Sequence, residues 1–193
     1  MSETTEDSKK SSDKQSPIYL CFFPASSPDV QKCMENALVT LLSGDIVHVE
    51  IMMGRNGDIF SITQNTGRVK KSKFKLMSRS GSIFFRKYIS NSDYDKLYDF
   101  FVSCQGQAYD RCSFFCCFCA KVFSFTGNNN PFVNKDQTTC SRLISQGFQH
   151  IGLDIGISYT ETTSPQAIYD AVATTWDKVD DMVVNGIRGK IEN

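Results

Sequence analysis

Polar and apolar positions divide the chain sharply. Residues 1–16 carry no apolar side chain beyond Met1 and mix Glu3, Glu6, Asp7 and Asp13 with Lys9, Lys10 and Lys14. Such a composition buries too little surface to offset the entropy of ordering, which predicts a disordered tail over 1–16. An unbroken apolar run, Ile18 to Phe23, then reads as a strand, with the folded part beginning at Pro17. Ser27-Pro28-Asp29 combines an N-cap, a proline at the first helical position and an acid in the first turn. Val30, Cys33, Ala37, Leu38, Leu41 and Leu42 follow at helical spacing, and Gly44 closes that helix.

The stretch 45–67 alternates instead. Asn56-Gly57 between apolar runs is a strong hairpin signal. With those two residues as the turn, Arg55 pairs with Asp58, Met52 with Ser61, Glu50 with Thr63 and His48 with Asn65. Strand side chains alternate, so Val47, Val49, Ile51 and Met53 share a core face with Phe60 and Ile62. His48, Glu50, Ser61, Thr63 and Asn65 form a polar wall on the other face.

Further on, Ser82 to Ile89 predicts a third strand. Asn91-Ser92 predicts the cap of a helix over 92–104, with Asp95 completing a capping box, Leu97, Tyr98, Phe101 and Val102 inward, and Gly106 as the stop. A very apolar helix over 114–125 and an Asn-rich loop over 127–131 follow. A helix from Thr138 or Thr139 to His150 stops at Gly152, and Ser164-Pro165 starts a last one carrying Ile168, Ala171 and Val172. The pattern thus describes one domain over 17–176, with 177–193 ambiguous, and no internal repeat.

Composition changes this picture little. With 21 basic and 21 acidic residues in 193, there is no basic field to attract nucleic acid. No run reaches the ~18 apolar residues of a membrane span, which leaves peripheral membrane contact open. The polar start is unlike a signal peptide, so the eight cysteines are expected as reduced thiols of an intracellular, cytoplasmic protein rather than a disulfide framework.

Two residues stand out for chemistry. Cys140 falls in the first turn of a helix, where backbone N–H groups and the helix dipole favour a thiolate; the plainer alternative is a half-buried structural cysteine. His48 sits mid-strand on the polar face, where a base could stand, or a merely hydrogen-bonded histidine. His150, at a helix C-terminus, suits a structural role. Glu50 shares the face of His48 two residues away and could orient the imidazole, or be a solvated edge charge. Cys112, Cys116 and Cys119 share a helical face, but interleaved phenylalanines and the lack of a second short-spaced ligand pair favour core packing over zinc. No metal or cofactor is called for.

His48-Val49-Glu50-Ile51-Met52-Met53-Gly54 followed by Asn56-Gly57 resembles the histidine hairpin of the NlpC-type papain-like superfamily. Thr139-Cys140-Ser141-Arg142-Leu143-Ile144 resembles its nucleophile helix, and Gly106-Gln107-Ala108-Tyr109-Asp110 its Gly-x-x-Tyr element. The order, histidine first and cysteine last, is similar to the circularly permuted branch, which includes YiiX-like bacterial proteins, viral homologues and the lecithin–retinol acyltransferase group; Thr163-Ser164-Pro165 is also similar to YiiX-like and viral sequences. The resemblance covers about 17–172. It implies a permuted papain-like α+β fold, an antiparallel sheet packed against helices, with Cys140 as nucleophile, His48 as base and acid, and Tyr109 near the thiolate. Family members often carry a second polar orienter after the hairpin turn; that position is Ser61 here, a poor imidazole partner, which favours Glu50. The implied activity is thioester acyl transfer by a peptidase or amidase acting on peptide or isopeptide bonds. A lipid acyltransferase or thioesterase of the same fold, and a non-catalytic binding module, compete with it, and association with a virion is left open.

Overall fold

The computed structural model describes residues 14–26, 44–74, 81–110, 136–159 and 163–179. The expected helices over 27–44 and 114–125, the loop over 127–131 and Cys112, Cys116, Cys117 and Cys119 lie outside them. Within the described residues the architecture is α+β: a six-stranded antiparallel sheet, a separate two-stranded piece, and three helices.

The sheet runs β4-β3-β2-β1-β5-β8, where β1 is Gln15–Pro24, β2 Ile46–Met53, β3 Asp58–Ser61, β4 Lys70–Lys73, β5 Ile83–Ser90 and β8 Asp177–Val179. The short strands β6 (Ala108–Tyr109) and β7 (Gln137–Thr138) pair in parallel. Helices α1 (Asn91–Ser103), α2 (Cys140–His150) and α3 (Pro165–Ala173) supply the inward residues Leu97, Phe101, Leu143, Ile144, Phe148, Ile168 and Val172. These pack on Ile18, Leu20, Phe22, Val49, Ile51, Met53 and Phe60 of the sheet to form the main core.

The opposite sheet face is apolar as well. Tyr19, Cys21, Phe23, Met52, Ile59 and Phe84 form a second buried cluster there. Central β1 reads as a continuous apolar run because both its faces are buried. The expected polar wall is therefore absent from the ladder: Glu50 is buried among these residues, and Val47 joins this second cluster rather than the main core. The cause of the latter is a bulge, since Phe23 pairs with His48 but Pro24 with Ile46, leaving Val47 as the extra residue.

The hairpin register also differs from expectation. Met53 pairs with Asp58 and Met52 with Ile59, so the turn is the four residues 54–57 rather than Asn56-Gly57 alone. Gly54 is drawn onto β1 instead, its N–H donating to Pro17 O at 3.0 Å. A Cβ there would lie 2.6 Å from that same oxygen, so only glycine fits. The displacement is two residues, and an even displacement leaves every side chain on its own face. Ladder pairing of β3 with β2 ends at Ile51↔Phe60, so Thr63 and Asn65 have no ladder partners on β2.

Strand β1 begins at Gln15, two residues inside the tail expected to be disordered, paired with Ser90 and Ile89. Hydrogen bonds take the place of apolar burial here. Arg55 Nε donates to Ser16 Oγ at 2.6 Å, Ser16 Oγ donates to Asn91 Oδ1, and the Arg55 guanidinium lies over the Tyr94 ring. Helix α1 is capped by Ser90, whose Oγ accepts from Asp93 N, so Asp93 rather than Asp95 sits at the capping-box position. Val102 points outward, exposed, unlike Leu97 and Phe101. Residues 177–179, ambiguous in sequence, add β8 beside β5. No described helix is long and apolar enough to cross a membrane.

Gly147 lets α1 and α2 approach: a Cβ on it would stand 2.7 Å from Phe101 Cζ, and Phe101 is fully buried and stacked on Phe60. Helix propensity alone favours alanine at such a position by about 1 kcal/mol, but overpacking a core costs about 1–3 kcal/mol. Gly147→Ala is expected to lower the urea unfolding midpoint despite its better propensity, and Gly54→Ala to lower it further because its obstacle is backbone.

Candidate active site

Cys140 is the first residue of α2. Thr139 caps the helix in extended conformation, its Oγ1 accepting from Arg142 N at 3.3 Å while its carbonyl accepts from Leu143 N. Capping by a short β-branched hydroxyl residue holds the first turn firmly where Cys140 stands. Burial of Leu143, Ile144 and Phe148 on the sheet brings that turn against β2.

The thiol meets β2 at an edge that β3 has vacated. Past Ile51↔Phe60 the β2 backbone has no β3 partner, and the Val49 N–H is used instead as a hydrogen-bond donor to Cys140. Ser141 N–H donates to the same sulfur from the helix side, and the His48 ring hydrogen-bonds it from β2. His48 in turn lies with Nε2 at 3.4 Å from Glu50 Oε1, both side chains largely buried. Phe23, the cross-strand neighbour of His48, packs against its ring with centroids 5.3 Å apart.

The electrostatics follow from this packing. Burial alone would push His48 down toward neutrality, but the Cys140 thiolate, by charge and hydrogen bond, and then Glu50 raise its pKa to about 10. Burial pushes the Cys140 thiol up; the adjacent His48 charge and hydrogen bond, with the Val49 and Ser141 N–H groups, outweigh it and hold the thiol below its ordinary value. The charged pair therefore persists between the lowered thiol pKa and about pH 10. It is lost as pH falls through the first or rises through the second.

The fold thus brings Cys140, His48 and Glu50 together. Tyr109 lies on β6, paired with Thr138 two residues before Cys140, its N–H donating to Gly67 O. Ser61 ends β3 opposite Lys70, and continuing the β2–β3 register would set it across from Glu50 rather than from Met52 as expected. His150 lies exposed in the last turn of α2, its ring stacked on Phe100, remote from the site in the helix. Among the described residues, Cys21, Cys104 and Cys140 are in no disulfide. Among the described residues no three His, Cys, Asp or Glu side chains converge to hold a metal. Sequence reasoning missed a buried ion pair behind the site, Asp110 with Arg142 at 3.7 Å. Its only sequence trace is an arginine among the apolar residues of α2.

A thiol of ordinary pKa near 8.5 is only about 0.3% thiolate at pH 6. Site-resolved alkylation by iodoacetamide should therefore remain rapid at Cys140 at pH 6. His48→Ala should slow it there by roughly 10- to 100-fold, the lower figure allowing for the weaker nucleophilicity of a low-pKa thiolate. The reactive arm should move to higher pH, because burial is then opposed only by the Val49 and Ser141 N–H groups. Glu50→Gln should move it the same way, but less.

Comparison with family models, with curated proteins and with solved structures gives no match.

Proposed function

We propose that this chain is a cysteine-dependent hydrolase of permuted papain-like type, cleaving amide bonds through a thioester acyl-enzyme. One observation carries the reading: a buried thiol at a helix start, hydrogen-bonded to an imidazole that also meets a buried carboxylate. Nucleophile, base and orienter in that order are what acyl transfer requires.

In the resting state the proton is already on His48. Cys140 attacks the carbonyl carbon, and the developing oxyanion is met by backbone N–H groups at the positive end of α2. His48 gives its proton to the leaving nitrogen as the tetrahedral intermediate collapses to the thioester. Neutral His48 then takes a proton from water, whose oxygen attacks the thioester; the acid leaves and the proton stays on His48, restoring the pair. Glu50 keeps the ring oriented and favours its charged form at both steps.

A cationic His48 in the resting state supports amide over ester substrates. An amine is a poor leaving group until protonated, whereas an alkoxide or thiolate departs with less help. A fluorogenic peptide panel assayed beside a long-chain acyl ester should show peptide turnover, abolished in Cys140→Ala and in His48→Ala and retained in Cys104→Ala. Turnover of the ester alone would assign the same residues to a lipid acyltransferase or thioesterase. Equal labelling of wild type and Cys140→Ala by a thiol-directed acylating probe would remove the enzymatic reading in favour of a binding module.

A further inference from the structure

Asp110 brackets the nucleophile. Its backbone N–H donates to Thr138 O at 2.9 Å, two residues before Cys140. Its carboxylate lies 3.7 Å from the Arg142 guanidinium, two residues after Cys140, with the side chains 0% and 7% exposed respectively. The Arg142 backbone N–H is itself held by the Thr139 cap. Residues 138–142 are therefore fastened at both ends to one residue of the neighbouring strand segment, and Cys140 lies midway between.

Stability does not account for this arrangement. A buried ion pair seldom outdoes well-packed apolar side chains of the same volume, because desolvation of both ions offsets their attraction. A cation in the first turn of a helix also opposes the macrodipole. What the pair supplies is direction: it ties the first turn of α2 to the β6–β7 strip, which is in turn tied to the 67–69 segment by Tyr109 N–H to Gly67 O and Val69 N–H to Gln107 O. The sulfur must meet Val49 N–H, Ser141 N–H and His48 at once, and a misplacement of about 1 Å can cost roughly 100-fold in rate.

We infer that Asp110 and Arg142 are positioning residues of the Cys140 nucleophile, fixing the first turn of α2 so that the sulfur reaches its three partners on β2 and α2. The inference rests on the thiol hydrolase reading and extends it beyond Cys140, His48 and Glu50.

The test uses the full chain in three forms: Asp110→Asn, Arg142→Lys, and the double variant Asp110→Leu with Arg142→Met, which replaces the pair by apolar volume. Urea unfolding and site-resolved iodoacetamide alkylation of Cys140 from pH 5 to 10 are measured on each. The double variant is expected to unfold at a midpoint close to wild type. Its alkylation at pH 6 is expected to fall at least 10-fold, with the profile displaced toward that of an ordinary thiol. A double variant as stable as wild type and with the wild-type profile overturns the inference. If the double variant does not fold, Asp110→Asn and Arg142→Lys decide: a folded single variant with displaced alkylation supports it, and unchanged profiles in both overturn it, as does a failure of all three to fold, which would mark the pair as structural. Absence of low-pH reactivity at Cys140 in the wild type itself would instead remove the thiolate reading on which the inference rests.

Discussion

A thiolate and an imidazolium held out of water are costly: each ion forfeits hydration worth several kcal/mol unless hydrogen bonds and charge replace it. Here the sulfur receives Val49 N–H, Ser141 N–H and the His48 ring, and the imidazolium has both the thiolate and Glu50 as partners. Those donors come from a strand backbone, a helix start and a strand side chain. Everything therefore depends on how the first turn of α2 is placed against the edge of β2. Pairing of β3 with β2 has to stop at Ile51↔Phe60 for that edge to be open, and the apolar face of α2 has to press Leu143, Ile144 and Phe148 into the sheet for the turn to reach it. Gly147, by admitting Phe101 to close contact, sets the depth at which α2 lies.

Much of this was legible in residue pattern, for identifiable reasons. Thr139 and Ser164 announce their helices because a capping oxygen precedes a periodic apolar face, with Pro165 reinforcing the second. The cap of α1 falls on Ser90 rather than on Asn91-Ser92 as expected, because all three side chains can cap and the end of β5 makes the choice. The hairpin register moved by two residues, yet face assignments from Val49 to Met53 survived because strand periodicity is two. The polar wall failed for a reason also visible in the chain. The unbroken run Ile18–Phe23 already implies a strand buried on both faces, so His48 and Glu50 had to share a face with Cys21 and Phe23.

Other elements leave no hydrophobic signature. Strand β4 is Lys-Lys-Ser-Lys, wholly exposed, and exists through its backbone ladder to β3, with Lys73 also paired to Asp58. Lysines suit a strand that is outermost among the described residues because they discourage pairing with another chain. Asp110 and Arg142 are 32 residues apart and meet only through the β6–β7 pairing, a contact that no local pattern encodes. Ser16 and Arg55 likewise meet across the sheet end, which is why a polar tail composition concealed the start of β1.

The helix start alone cannot account for a thiolate at Cys140. A helix dipole contributes typically 0.3–1 kcal/mol and at best about 2, equivalent to at most about 1.5 pKa units, while burial of an uncompensated ion acts in the opposite sense by up to 3–5 units. A buried cysteine at the first position of α2, with no histidine beside it, would therefore remain a thiol. The same reasoning applies to His48, whose burial disfavours the cation until a thiolate faces it. Each group owes its charge to the other, so the pair ionises as a unit. Position at a helix start is thus a weak mark of a nucleophile, and the partner across the strand edge is the decisive one. That dependence gives weight to the vacated β2 edge and the Thr139 cap, since both bear on where the sulfur meets the ring.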